Sequence, residues 1–243
     1  MEETSQLEGR SGRSRLAARE DGGTRPGAAR LSLLGAAMFL VLLAILHVFK
    51  PELDPSWRVI SEYAIGDFGW VMAVAFLSLA IGCVALFFAI RSQAGGVAGR
   101  IGLAFLLLAA AGLTLAAVFT TDPTTAGPDE ATTTGSLHTV GATLGTGIPI
   151  AAVFIGWSLR RNRAWSSARR SLFWAAVLAW AGFLAFSVSM AVMLPENDGR
   201  LGPDVLIGWP NRFMIAAYSV WVMMVAWQAT KRPSWNPFRE LER

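Results

Sequence analysis

Both histidines of this 243-residue chain lie near the ends of long apolar runs. His47 is one turn from the end of the first run, and His138 lies at the start of the fourth, after Asp122 at the end of the third. Imidazole and carboxylate groups are common zinc ligands, and a site with three protein ligands keeps a fourth position for water. His47, Asp122 and His138 are therefore candidate zinc ligands, and such a set would suit a metal-dependent membrane hydrolase acting on lipid-like substrates.

The stretch RVISEYAIG supplies the candidate catalytic residues. Glu62 has the chemistry of a general base, and Ser61 that of a positioning group. A nucleophilic triad of Ser61, His138 and Asp122 also has the right composition. However, the chain contains no HExxH motif and no nucleophile elbow, so neither form of hydrolase has a motif to support it.

The same residues also suit the binding of a lipid headgroup or another small polar ligand. Arg58 and Arg212 carry forked donors that match phosphate and carboxylate groups. The candidate ligand-binding residues are Arg58, Ser61, Glu62, His138, Asn211 and Arg212. The alternative is a structural protein without a ligand site, in which Arg58 and Glu62 form a surface pair worth about 0–1 kcal/mol. Arg212 opens an apolar run, so it needs a carboxylate, a phosphate or a route to the membrane surface.

Six apolar runs, each long enough to cross a bilayer, must position these residues. They cover roughly 31–49, 69–90, 101–121, 137–159, 171–194 and 208–229. Only 16% of the residues are charged, against about 25% in soluble domains. The sequence therefore predicts an all-α, polytopic transmembrane bundle of six helices.

Lysine and arginine are distributed unevenly between the two sides of such a bundle. The two tails and the second and fourth loops hold 17 of them, whereas the other side holds 4. The positive-inside rule then predicts cytoplasmic termini in a multi-pass protein of the cell (inner) membrane. The polar candidate residues would all lie at the outer side, in contact with membrane lipids. No folded basic surface for nucleic acid is expected, and the oligomeric state is left open.

One domain is expected at 30–230, between a disordered basic tail at 1–29 and a second tail at 231–243. The first tail is rich in Arg, Gly and Ser and lacks apolar periodicity. No small-residue cleavage pattern follows the first run, which is therefore interpreted as a retained span.

Local signals predict two helix starts near the candidate site. Asp54 and Pro55 suit the N-cap and first position of a short interfacial helix over 55–65 in the first outer loop. Ser136 is the predicted N-cap of the fourth span, which would place His138 in its first turn. In that span, the glycines of GATLG predict close helix packing. Gly145, Gly147 and Pro149 could also break it as in a transporter, but the membrane midplane is apolar and no repeat relates the two halves.

Several spaced elements resemble the prokaryotic domain of unknown function 998 family. They are HVFKPELDPSWRVISEYAIGDFGW, TTDP, GSLH and an Arg at the head of the sixth span, and they cover roughly residues 31–230. The resemblance implies a six-span membrane protein, without an established activity or catalytic residues. A more distant similarity, carried by Ile60-Ser61-Glu62 and His138, is to the Frag/DRAM/Sfk membrane family, and it implies lipid handling.

Overall fold

The computed structural model describes residues 23–196 and 201–232, and seven α-helices in this part form six spans long enough to cross a membrane. They are α1 (Pro26–Phe49), α2 (Gly69–Ile90), α3 (Gly96–Val118), α4 (Thr133–Gly145), α5 (Gly147–Arg161), α6 (Arg169–Glu196) and α7 (Gly208–Thr230). Helices α4 and α5 together make the fourth span. The predicted all-helical, six-span architecture is confirmed.

The spans pack in sequence order around a ring, and α7 closes the ring against α1. Helix α2 also contacts α7 across the ring. Because consecutive spans are antiparallel neighbours, the first, third and fifth connections meet at one end of the bundle. We call this the loop-rich end (residues 50–68, 119–132 and 201–207). The opposite end is the basic end (residues 23–25, 91–95, 162–168 and 231–232).

Helices α3 and α4 approach each other through glycine. A Cβ atom built on Gly112 would lie 2.4 Å from the Gly141 carbonyl oxygen, and one built on Gly141 would lie 2.6 Å from the Gly112 carbonyl oxygen. Only glycine allows two membrane helices to meet backbone to backbone in this way. The contact holds α4 against α3, so that the buried face of α4, which includes His138, points into the bundle.

The fourth span is interrupted at Thr146, between α4 and α5. The Thr146 hydroxyl donates to the Thr143 carbonyl at 2.6 Å, which satisfies one backbone acceptor at the break. Flanking glycines lower the cost of the irregular turn. The break lets α4 follow α3 while α5 packs against both α3 and α6.

The first connection contains a 3₁₀ helix at Ile60–Ala64, shorter than the interfacial helix predicted over 55–65. The Asp54 side chain accepts from the Ser56 N–H at 2.9 Å and so forms a local turn instead of an α-helix cap. Ile60, Glu62 and Tyr63 are buried, so this segment folds over the mouth of the bundle.

The fourth span begins earlier than predicted. Thr132, not Ser136, is its N-cap, and the Thr132 hydroxyl accepts from the Gly135 N–H at 3.0 Å. His138 consequently lies in the second turn of α4. Helix α1 likewise begins at Pro26, inside the predicted tail, because proline is well suited to a first helical position. The remaining predicted tail segments, 1–22 and 233–243, lie outside the described residues.

Candidate functional site

Arg212 is the centre of a buried polar cluster at the loop-rich end. It lies in the first turns of α7 and is only 7% exposed. Its Nε donates to His47 Nε2 at 2.7 Å, and its Nη2 donates to Tyr63 Oη at 3.1 Å. These contacts join α7 to α1 and to the 3₁₀ helix of the first connection.

The other terminal nitrogen of Arg212 holds the backbone of the first connection. Nη1 lies within hydrogen-bonding distance of three carbonyl oxygens, those of Arg58 (2.6 Å), Gly208 (3.1 Å) and Pro55 (3.2 Å). In addition, the Gly208 N–H donates a hydrogen bond to the Ser56 carbonyl of this connection at 2.9 Å. The guanidinium therefore fixes a loop whose backbone would otherwise leave buried acceptors without donors.

The bonds of His47 determine its tautomer. An arginine side chain can only donate, so His47 Nε2 must accept and carry no hydrogen. The hydrogen is then on Nδ1, which donates to the Leu43 carbonyl at 2.7 Å. Both ring nitrogens of a neutral His47 are thereby occupied, and neither has a lone pair free for a metal ion.

Lys50 is a second buried cation in this region, at 5% exposure. Its Nζ donates to the carbonyls of Tyr63 and Ile65. Like Arg212, it has only neutral hydrogen-bond partners among the residues that the structure describes. The interior of the first connection therefore contains two full positive charges held by neutral oxygen and nitrogen atoms.

Glu62 is the buried acid of the cluster, at 1% exposure. Its Oε1 accepts from Arg58 Nη1 at 2.6 Å and from the Thr124 N–H at 2.8 Å, which ties the first connection to the third. Arg58 also stacks over the Trp57 ring at 4.0 Å. Within the described chain, Glu62 Oε2, Arg58 Nε and Thr124 Oγ1 are buried without a hydrogen-bond partner. This connected set therefore retains unused donors and acceptors.

Asn211 and Ser61 complete the set of predicted ligand-binding residues. Asn211 is buried, and its Oδ1 accepts from the Ile60 N–H at 3.0 Å, at the start of the 3₁₀ helix. Ser61 lies inside that 3₁₀ helix and is partly exposed. The structure thus brings Arg58, Asn211 and Arg212 to one segment of the first connection, with Ser61 and Glu62 in the next turn.

The other predicted metal ligands have separate partners. His138 is 2% exposed, donates from Nδ1 to the Phe119 carbonyl at 2.8 Å, and packs against the Phe76 ring. Asp122 accepts from the N–H and hydroxyl of Thr132 at 2.9 and 2.7 Å. Within residues 23–196 and 201–232, no three His, Cys, Asp or Glu side chains are grouped so that they could hold a metal ion. The set of His47, Asp122 and His138 is therefore not assembled as a zinc site in this arrangement.

A family model described as "Protein of unknown function (DUF998)" matches residues 33–228. The chain belongs to the DUF998 family. The match contains the whole polar cluster and all but the outermost turns of the six spans. No curated protein and no solved structure matches the chain.

The sequence did not reveal three groups of this cluster: the side chains of Tyr63 and Lys50 and the N–H of Thr124. Tyr63 could have been noticed, because it is one of only two tyrosines beside ten tryptophans and fourteen phenylalanines. A buried tyrosine needs a polar partner for its hydroxyl, which phenylalanine does not. No sequence signal marks the backbone groups, since every residue carries them.

Replacing Asp122 with Asn should remove a component of the pH dependence of the protein's stability. The Thr132 N–H and hydroxyl hold the pKa of the Asp122 carboxyl below its ordinary value of 3.8. The unfolded chain then binds the proton more tightly than the folded chain does. The stabilisation is therefore present above pH 3.8 and is lost as the pH falls below that value. Thermal unfolding of wild type and Asp122→Asn, from neutral pH down to below 3.8, should show two curves that converge at acid pH.

The matched control is Asp129→Asn, an exposed acid of the same connection. It should keep the full wild-type pH dependence. If the melting temperatures of wild type and Asp122→Asn differed by the same amount at every pH, the prediction would be wrong. The contribution of Asp122 to stability would then not depend on its protonation.

Proposed function

We propose that this protein is a membrane binding protein whose loop-rich end holds an anionic group, such as the phosphate of a lipid headgroup or of a small ligand. The observation that carries the proposal is an excess of positive charge in the cluster. Arg212, Lys50 and Arg58 contribute three cations, whereas Glu62 is the one carboxylate paired with any of them among the described residues.

A buried ionised side chain without a counter-charge costs several kcal/mol relative to its hydrated state. Neutral carbonyls reduce this cost for Arg212, but no carboxylate of the described chain forms an ion pair with it. An anion that arrives beside it would lower the electrostatic energy of the whole cluster. Ionisable groups placed within a membrane protein at such a cost commonly mark a ligand or ion site.

Arg58 is the accessible part of the cluster. Its side chain is 22% exposed, although its Nε is buried without a hydrogen-bond partner. The electrostatic effect of Arg212 extends to the exposed carboxyl of Asp54. The pKa of this carboxyl is lowered chiefly by hydrogen bonds from Ser56, and Arg212 lowers it further by a smaller amount. An anion would thus contact Arg58 directly, and the charge of the buried Arg212 would attract it further.

We also propose that the loop-rich end faces outward from the cell (inner) membrane and that both termini are cytoplasmic. The supporting observation is the distribution of 17 lysines and arginines on one side and 4 on the other. A zinc hydrolase is not proposed, since both ring nitrogens of His47 are engaged by Arg212 and Leu43.

Arg58→Gln tests the proposal. The melting temperature of detergent-purified protein should rise with short-chain phosphatidylglycerol and not with phosphatidylcholine of the same chains. Arg58→Gln should weaken the phosphatidylglycerol response by about tenfold in concentration, as expected for loss of one charged hydrogen bond. A parallel series with inorganic phosphate separates the two sources of the anion, because a small-ligand site responds to it and a lipid site does not.

Arg100→Gln is the matched control, since Arg100 is an exposed arginine near the start of α3, at the basic end. It should leave the phosphatidylglycerol response unchanged. Equal responses to phosphatidylglycerol and phosphatidylcholine, or equal losses in the two arginine variants, would refute an anion site at Arg58.

A further inference from the structure

A surface groove runs between α5 and α6, from the basic end towards the middle of the bundle, with a volume of about 440 Å³. Its walls are apolar side chains and glycine. They include Ala152, Val153, Gly156, Leu172, Ala176 and Val177. The groove ends near Leu184 in the middle of α6, and its other end is lined by Trp157, Arg160 and Phe173. It is separate from the Arg212 cluster, which lies at the opposite end of the bundle.

Positive charge and aromatic rings surround the outer end of this groove. The Arg160 guanidinium lies 5.8 Å from the centre of the Phe173 ring, and Arg161 lies 4.6 Å from that of Trp157. Both arginines are exposed, and they occupy the last turn of α5. No Asp or Glu occurs in the described residues of the basic end. This combination is typical of the level at which lipid headgroups meet the hydrocarbon.

The length of the groove matches one leaflet. Phe173 and Leu184 both line it, and the helix between them rises by about 17 Å at ~1.5 Å per residue. Half of the hydrocarbon core of a bilayer is about 15 Å thick. An acyl chain that begins at the arginines would therefore end where the groove ends.

We propose that this groove is a binding site for an anionic phospholipid, with one acyl chain between α5 and α6 and the phosphate against Arg160 and Arg161. Charge selects the headgroup, because two arginines, with no acid among the described residues of the basic end, attract a net negative lipid more strongly than a zwitterionic one. The apolar walls then hold the chain.

Gly156 provides a direct way to fill the groove. A Cβ atom built on Gly156 meets no atom within 4 Å, in contrast to Gly141, where it would collide with the backbone of α3. The Cβ atom of a leucine at position 156 would therefore meet open space, and its side chain should occupy the space of the acyl chain. Gly27 in α1 is the matched control, because it is also helical, also has open space, and lies outside the groove.

Native mass spectrometry of the full chain, titrated with phosphatidylglycerol or with phosphatidylcholine of the same acyl chains, tests the site. Wild type should bind phosphatidylglycerol more tightly than phosphatidylcholine. Arg160→Gln should weaken phosphatidylglycerol binding by about fivefold, because it removes one of the two charges placed against the phosphate. Gly156→Leu should weaken the binding of both lipids, since it occupies the place of the chain.

Two controls make the result decisive. Arg163→Gln, an exposed arginine in the following 3₁₀ segment, and Gly27→Leu should both bind as wild type does. If Arg160→Gln matches Arg163→Gln, or Gly156→Leu matches Gly27→Leu, the groove is not a lipid site. Unchanged melting temperatures verify that the variants are folded. The same titrations in an Arg58→Gln background separate this site from the one at the loop-rich end.

Discussion

Arg212→Met should lower the free energy of unfolding by about 3 kcal/mol or more and should release the first connection from the bundle. The variant leaves His47 Nε2, Tyr63 Oη and three backbone carbonyls without their donor. Each buried acceptor without a partner costs about 1–3 kcal/mol, and removal of the buried charge offsets part of the total. Thermal unfolding in detergent measures the loss of stability, and limited proteolysis detects the released connection.

Arg212→Lys is the informative companion variant. Lysine keeps the charge but offers a single nitrogen, so it cannot reach His47, Tyr63 and the carbonyls at the same time. It should therefore recover only part of the lost stability. The exposed arginine variant Arg100→Gln should unfold as wild type does. An Arg212→Met protein that is as stable as Arg100→Gln would show that the hydrogen bonds of the guanidinium do not hold the connection.

Gly208→Ala should also loosen the contact between α7 and the first connection, and should lower the free energy of unfolding by about 1–3 kcal/mol. A Cβ atom at position 208 would lie 2.3 Å from the Pro55 carbonyl oxygen and 2.8 Å from backbone atoms of Ser56 and Trp57. These are backbone atoms, which cannot rotate away, so the connection itself must move. Its displacement would also lengthen the bond between the Gly208 N–H and the Ser56 carbonyl.

Gly202→Ala provides the comparison, because a Cβ atom at that glycine meets nothing within 4 Å. It lies in the same part of the chain, just before α7, and should change the melting temperature little. If the two alanine variants have the same melting temperature, the close packing of the first connection on α7 is not a source of stability.

The six spans could be predicted because a bilayer imposes a length of about 20 apolar residues on each helix. The helix starts were less well determined. Asp54-Pro55 is equally suited to a turn and to a helix cap, and the structure forms the turn. Before α4 several hydroxyl residues compete for the N-cap position, and Thr132 takes it because it also bonds Asp122 at the end of the third span.

The contacts within the cluster could not be read from the sequence. Arg212 was expected to need a carboxylate, a phosphate or access to the membrane surface, whereas the structure gives it His47, Tyr63 and backbone carbonyls. His47 and Arg212 are 165 positions apart, and their contact depends on α7 closing the ring against α1. The pair of Arg58 and Glu62 was part of the alternative without a ligand site, where it was expected at the surface. The structure forms the pair but buries Glu62 under the third connection.

Glu62→Gln provides the most direct test of an anion site at the loop-rich end, because it changes charge with little change in shape. Glutamine can still accept from Arg58 and Thr124 through its side-chain oxygen, but it no longer neutralises Arg58. The measurement is the dissociation constant for short-chain phosphatidylglycerol, in wild type and in Glu62→Gln, with the variant folded as judged by its melting curve. An anion site predicts a lower dissociation constant in the variant, even though the protein is less stable. An equal or higher dissociation constant would contradict the account.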